Sequence, residues 1–317
     1  MSMIFANLLH LSYNMWGDWE NPKMGPHWCA RPYLRFDEKL WNELLEKMVA
    51  VGMNMVVIDL GDGVKYQSHP EIAVENAWSR EKLTSELAKM RKMGLEPIPK
   101  MNFSACHDQW LGDYSKMVSS KVYYKVTGDL IDEVIELFEK PRFFHLGMDE
   151  EEIQHQTQFR HVVIRQHGLW WEDLEFFRHH VESHGVRSWI WSDYVWNHGP
   201  EFYERMHKSV VQSNWYRDPV RGSAKSVYGG VVSENVECCK AYMDLDKAGF
   251  DQIPTVSNWE TPDNIYNTIK FCQEKLSKER LKGYFLTPWK PTLPVTRDRH
   301  MDAIEHFGKA IAGLRRA

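Results

Sequence analysis

Eight short apolar runs recur along the chain, at 5–14, 54–61, 95–102, 142–149, 186–193, 209–215, 252–259 and 282–289, and most intervals between them carry helical periodicity. In FDEKLWNELLEKMVAVG, SREKLTSELAKMRKMG, TGDLIDEVIELFEK and TPDNIYNTIKFCQEKLSK, apolar residues return three and four positions apart. Ser79, Thr127 and Thr261 stand before acidic first turns as candidate N-caps, and Gly52 and Gly94 close the first two of these helices. Strand and helix that alternate eight times predict a parallel sheet closed into a (β/α)₈ TIM barrel, one domain over residues 1–317. With 43% hydrophobic residues the chain has enough apolar material for a core of that size. The connection after the fifth strand, GPEFYERMHK, is short for a barrel helix. A doubly wound open sheet is therefore the alternative fold.

Charge and cysteine usage narrow the function classes. A net charge of −5 gives no basic excess to hold a nucleic-acid backbone. MSMIFANLLHLSYNMW lacks the basic start and small-residue cleavage site of an export signal, and polar residues interrupt it, so neither a signal nor a membrane span is expected. Five cysteines, with Cys238 and Cys239 adjacent, suit neither a disulfide framework nor zinc spacing. The expected setting is a reducing, cytoplasmic one, with no cofactor, no metal and no membrane or nucleic-acid partner. The oligomeric state stays open.

A barrel of this kind places its site where strands end and βα loops begin. Those ends read NMWGDW, DLGDG, KMNFSACHD, GMDEEE, WIWSDYVW, QSNWY, VSNWE and TPWK, with tryptophan at or near six of the eight. Asp18, Asp59, Asp62, Asn102, Asp149, Glu150 and Asp193 lie among them. Broad aromatic faces beside carboxylates suit a ligand that is apolar on its faces and rich in hydroxyls, which points to a carbohydrate partner. Burial of some of these tryptophans in the core is the competing explanation.

Glycoside hydrolysis needs an acid on the leaving oxygen and a second group that stabilises an oxocarbenium-like centre, normally from another strand. Asp149 and Glu150 are adjacent and must diverge, so they cannot face each other across a sugar. In substrate-assisted hydrolysis a 2-acetamido group attacks its own anomeric carbon. Glu150, its pKa raised by partial burial, would then be general acid and later base, and Asp149 would orient the amide. Glu151 and Glu152 are expected only to cap a helix or solvate a loop.

HLGMDEE, residues 145–151, resembles the HxGGDE signature of glycoside hydrolase family 20, the β-N-acetylhexosaminidases, with Asp149 and Glu150 on the catalytic positions. TGDLIDEVIELFEKPRFFHLGMDEE is similar to the helix and strand leading into that site, LEPIPKMNFSACH to the PEIDxPGH strand, and VVQSNW to the sixth strand. The resemblance implies a barrel whose late strands wall the sugar with tryptophans, positions that Trp191, Trp215 and Trp289 match. The family's usual extra N-terminal domain has no counterpart in this sequence.

The departures are specific. Met148 replaces the second glycine, and Lys100 and Asn102 stand where the family has Glu and Asp. Tyr13 stands where an arginine holds sugar hydroxyls, Lys290 follows Trp289 without the usual glutamate, and Trp259 lies near the place of a tyrosine that touches the acetamido group. The reaction centre is kept while the clamp around the sugar is altered. A modified glycan, acidic or sulfated in view of Lys100 and Lys290, is one consequence; a barrel that binds sugar without cleaving it is another. A metal-dependent barrel hydrolase is a third reading, but the HxH strand start it needs is missing.

Other motifs fit the structure rather than the site. His180 and His184 in HHVESH share a face of an outer helix and are expected to be solvated, and His145 is expected to be a hydrogen-bonded core residue. His107, with Asp108 and Trp110, belongs to the long third loop, 103–126, where it is a candidate substrate contact. Asp193 is a candidate either for sugar hydroxyls, for bracing the acid, or for capping the next helix.

Overall fold

The computed structural model describes residues 3–215, 226–228, 231–233, 235–259 and 261–314. Eight parallel strands form one sheet: β1 (Ile4–His10), β2 (Met55–Asp59), β3 (Glu96–Lys100), β4 (Phe143–His145), β5 (Arg187–Trp191), β6 (Val211–Ser213), β9 (Thr255–Val256) and β10 (Gly283–Leu286). The order β6-β5-β4-β3-β2-β1-β10-β9 closes on itself, because bridges Gln212 to Gln252 and Trp215 to Thr255 join β6 to β9. The fold is the expected (β/α)₈ barrel, and the open sheet is excluded. Seven of the eight strands lie inside the runs read from the sequence and β1 starts one residue before its run, at Ile4, but each stops short of its run's tip. The tips are therefore βα loops, free to carry side chains over the mouth.

The helices α1 (Glu38–Ala50), α2 (Arg80–Lys92), α3 (Lys121–Leu137), α4 (Leu169–Ser183), α5 (Tyr194–Arg205), α6 (Asn235–Lys247), α7 (Asp263–Lys275) and α8 (Arg297–Leu314) surround the sheet. The short fifth connection does hold a helix, α5, kinked at His198 ahead of Pro200. A hairpin of β7 (Ser226–Tyr228) and β8 (Val231–Ser233), which the apolar periodicity did not reveal, lies between β6 and α6. Ser79 caps α2 by accepting from Lys82 N, and Thr261 Oγ1 accepts from Asp263 N at the start of α7. Thr127 is not a cap: α3 begins earlier, at Lys121 with Ser120 as its N-cap, and the Thr127 hydroxyl donates back to Tyr123 O at 2.8 Å. Gly52 and Gly94 end their helices at φ 86° and 82°. Among the described residues no helix is long and apolar enough to cross a membrane.

Alternation along the strands splits the core in two. Inward residues such as Leu8, Val57, Ile98, Trp189, Val211 and Phe285 fill the barrel. Outward ones such as Leu9, Val56 and Ile58 pack with the helices, including Trp41, Leu44 and Met48 of α1. The ladder registers His10 with Asp59, Asp59 with Lys100 and Lys100 with His145, so these four polar residues form one layer across the top of the barrel.

Strand β3 contains Pro97 and Pro99 although it is not an edge strand. Even-numbered amides of this segment face β2, as Glu96 N bonds Asn54 O, while odd-numbered ones face β4, as Met101 N bonds His145 O. The two missing N–H groups are thus on the β4 side, where the only registered pair is Lys100 with His145. Pairing resumes above them through Met101 N to His145 O and Phe103 N to Leu146 O, both 3.0 Å. That pairing fixes the tip of β4 to the loop that follows β3.

Candidate active site

Beyond β4 the backbone turns through left-handed conformations at Gly147 (φ 74°), Met148 (φ 69°) and Glu150 (φ 54°). Glycine is required at the first of these for a second reason. A Cβ on Gly147 would stand 2.0 Å from Asn102 Oδ1 and 2.8 Å from Asn102 Cα. Two non-glycine residues at positive φ within three positions concentrate strain at this turn. Met148 occupies its strained position with its side chain buried in the outer core.

The turn separates the contacts of the acid pair. Asp149 accepts from Asn102 Nδ2 at 2.8 Å, and Ser104 N fixes the other end of that amide at 3.0 Å. Its backbone carbonyl accepts from the Ser104 hydroxyl. Glu150 donates its backbone N–H to Asp193 Oδ2 at 2.8 Å. The buried ring of His107 lies between the two acids, with Nε2 3.1 Å from Glu150 Oε2 and 3.5 Å from Asp149 Oδ2. Trp16 meets that ring edge-on at 4.6 Å. Burial alone would lower the His107 pKa, but the Asp149 charge and the Glu150 bond outweigh it and raise it. His155, from the 3₁₀ turn Ile153–Gln156, brings Nε2 to 3.8 Å from Glu150 Oε1. Against burial, the Glu152 bond and the Glu150 and Glu152 charges push His155 up to about 9. Asp193 is held well above the usual carboxylate range by burial and then by the Asp149 charge. It occupies the N-cap position of α5 without a side-chain cap bond and braces Glu150 instead.

The aromatic residues divide into surface and support. Trp215 and Trp259 are half-buried, and so is Trp289, whose carbonyl accepts from Tyr13 OH at 3.0 Å. The Trp215 indole donates to Asp193 Oδ1 at 3.4 Å and packs on Trp196 at 4.7 Å. Three of the aromatic residues expected to contact sugar are closed off from solvent. Trp191 is fully buried in the barrel interior, stacked on Phe285 at 5.1 Å with Trp289 at 5.3 Å, so it is floor rather than wall. Trp110 is buried behind the third loop and donates to Asn102 O at 3.0 Å, bracing the residue that holds Asp149. Tyr13 is likewise buried and positions Trp289.

Several partners were not foreseen. Glu151 does not solvate a loop: it is buried against Arg165, which also donates to Asp173 Oδ2 at 2.9 Å and to Phe103 O at 2.6 Å. The acids DEEE give no sign of this, since the arginine lies fourteen positions on. Glu152 remains at the surface with His155 and Asn197. In the top layer of the barrel Lys100 Nζ pairs with Asp59 Oδ2 at 2.5 Å, so its charge is already compensated. His145 accepts from Gly147 N, as a core histidine should, and His180 and His184 both reach Asp132 on the neighbouring helix. Among the described residues no group of three His, Cys, Asp or Glu is arranged to hold a metal ion.

No protein-family model and no curated protein matches the chain. Solved structures do match. Flavobacterium johnsoniae chitobiase aligns with a TM-score of 0.62 at 18% identity over 89% of this chain, which spans only 48% of the chitobiase. Dispersin B aligns at 0.58 and 12% identity, covering 98% of this chain and 99% of its own. The β-N-acetylhexosaminidase of Bacteroides fragilis aligns at 0.62 and 11% identity, over 98% and 70%. At these identities the likeness is one of fold.

Proposed function

We propose that the protein is a retaining glycosidase that hydrolyses a terminal 2-acetamido sugar with the substrate's own amide as nucleophile. The observation that carries this reading is the divergence of the acid pair. Asp149 is tied to the third loop through Asn102, and Glu150 is tied to the fifth through Asp193, so adjacent residues address different atoms of one ligand. The barrel likeness to a chitobiase and a β-N-acetylhexosaminidase supports the same substrate class.

In this mechanism Glu150 gives its proton to the glycosidic oxygen as the bond to C1 breaks. The acetamido carbonyl oxygen closes on C1 from the opposite face, and Asp149 accepts the amide N–H, stabilising the positive charge that develops on the ring so formed. Water then attacks C1 as Glu150 takes its proton, the bond from C1 to the amide oxygen breaks and frees the acetamido group, and the configuration is retained. His107 lies between the two carboxylates, limits their repulsion and keeps Glu150 oriented. Trp215, Trp259 and Trp289 supply aromatic faces for the pyranose.

Leaving-group dependence tests the two roles. Glu150→Gln should lose most activity on sugars with poor leaving groups and little on activated aryl glycosides, whereas Asp149→Asn should impair both. Equal losses across leaving groups in the two variants would contradict the assignment.

A further inference from the structure

Burying a cation is costly unless an anion accompanies it. Beside β10 three cations are half-buried with no carboxylate at ion-pair distance among the described residues. Lys290, next after Trp289, lies with Nζ 4.6 Å over the Trp259 ring. Arg299, in the first turn of α8, has its Nε buried and unpartnered. Arg35, from the long loop after β1, reaches only neutral oxygens: His27 O at 3.0 Å, Asn14 Oδ1 at 2.9 Å and Tyr13 O at 3.5 Å.

Lys290 and Arg299 are neighbours, and Arg35 adjoins them through His27 and Tyr13. Burial and then the charge of Arg299 lower the pKa of Lys290; burial and then the charges of Arg35 and Lys290 lower that of His27. Tyr13 links the set to the aromatic wall, since its carbonyl meets Arg35 and its hydroxyl meets the carbonyl of Trp289. The charges of Asp302 and Asp62 reach Arg299 and Arg35, but from beyond ion-pair distance, and both acids are hydrogen-bonded to other groups. Asp302 accepts from Asn258, and Asp62 accepts from Ser12 and Asn14. Among the described residues no carboxylate lies within ion-pair distance of Lys290, Arg299 or Arg35. Lys100, by contrast, carries its own counter-ion and contributes no free charge.

We propose that Lys290, Arg299 and Arg35 form an anion site on the rim beside Trp259 and Trp289, and that the glycan taken by this barrel bears an anionic substituent there. The shared chemistry is a sulfate ester, phosphate ester or carboxylate. The identity of the sugar rests on the glycosidase reading above; the anion site does not.

The experiment is a binding titration of the full chain, followed by tryptophan fluorescence, with inorganic sulfate, N-acetylglucosamine and its 6-sulfate, 6-phosphate and glucuronic acid counterparts. At low salt at least one anionic sugar should bind roughly tenfold or more tighter than the neutral one, and that advantage should shrink as ionic strength rises. The best of the three identifies the substituent. Lys290→Met and Arg299→Gln should each remove most of the preference. Thermal unfolding supplies a second readout: Lys290→Met relieves an uncompensated charge and should melt no lower than wild type, and sulfate should raise the wild-type Tm but not the variant's. Sulfate binding without sugar binding would leave the anion site standing and remove the glycosidase reading. Neutral sugar bound as tightly as every anionic one, or a preference that survives both substitutions, would overturn the anion site.

Discussion

Gly147→Ala puts one methyl group into the junction that holds Asp149. Its carbon would stand 2.0 Å from Asn102 Oδ1, 2.3 Å from Cγ and 2.8 Å from Cα, all inside contact distance. Overpacking of this kind costs about 1–3 kcal/mol, and a non-glycine residue in the left-handed region, here at φ 74°, about 1–2 more. The expected loss is therefore about 2–5 kcal/mol, measured as a shift in the urea midpoint at unchanged slope. Two of the three clashing atoms belong to the Asn102 side chain, so Asn102→Ala in the same protein should relieve part of the cost, while the contact with Cα remains. A double-mutant cycle reads this coupling directly, with neighbours of this kind differing from additivity by about 0.5–3 kcal/mol. A loss under about 0.5 kcal/mol for Gly147→Ala, or additivity of the two substitutions, would refute the steric reasoning.

Arg165→Met strips the counter-ion from buried Glu151 and Asp173 and should cost about 3–5 kcal/mol in chemical denaturation; a neutral result would mean that the network is not holding the β4 loop. His155 is raised from 6.5 to about 9 in the folded protein, so the stability it contributes is fully present below pH 6.5 and is lost as pH rises through about 9. The difference in unfolding free energy between wild type and His155→Gln should follow that window. A pH-independent difference would show that the Glu150 and Glu152 charges do not hold the proton.

The barrel was legible because most repeats carry two independent signals, an apolar run and an amphipathic helix, and eight repeats leave few topologies. The ends of the strands were not. Leu146 and Met148 remain apolar, so the run looks like strand, yet the chain has already turned at Gly147 and Met148; nothing in a methionine announces positive φ. Thr127 was a plausible cap from TGD, but aromatic residues of KVYYKV pack on the core and extend the helix back to Ser120. Asp149 and Glu150 were readable as a pair, and His107 as a loop residue near the site. Its place between them depends on how the third loop folds onto the fourth. Trp191 and Lys100 show a different limit. Both are last residues of strands whose period-two alternation points them inward, and the ladder register, which the sequence does not display, turns them into floor and compensated pair rather than wall and free charge.

The comparison to make first among activity assays is hydrolysis of matched chromogenic glycosides that differ only at C2, acetamido against hydroxyl, with the anomeric configuration of the first product followed by NMR. Cleavage confined to the 2-acetamido sugar with retention, and abolished for poor leaving groups in Glu150→Gln, is the predicted result. Equal cleavage of the 2-hydroxyl sugar, or inversion at C1, would contradict substrate assistance by the amide that Asp149 is proposed to hold.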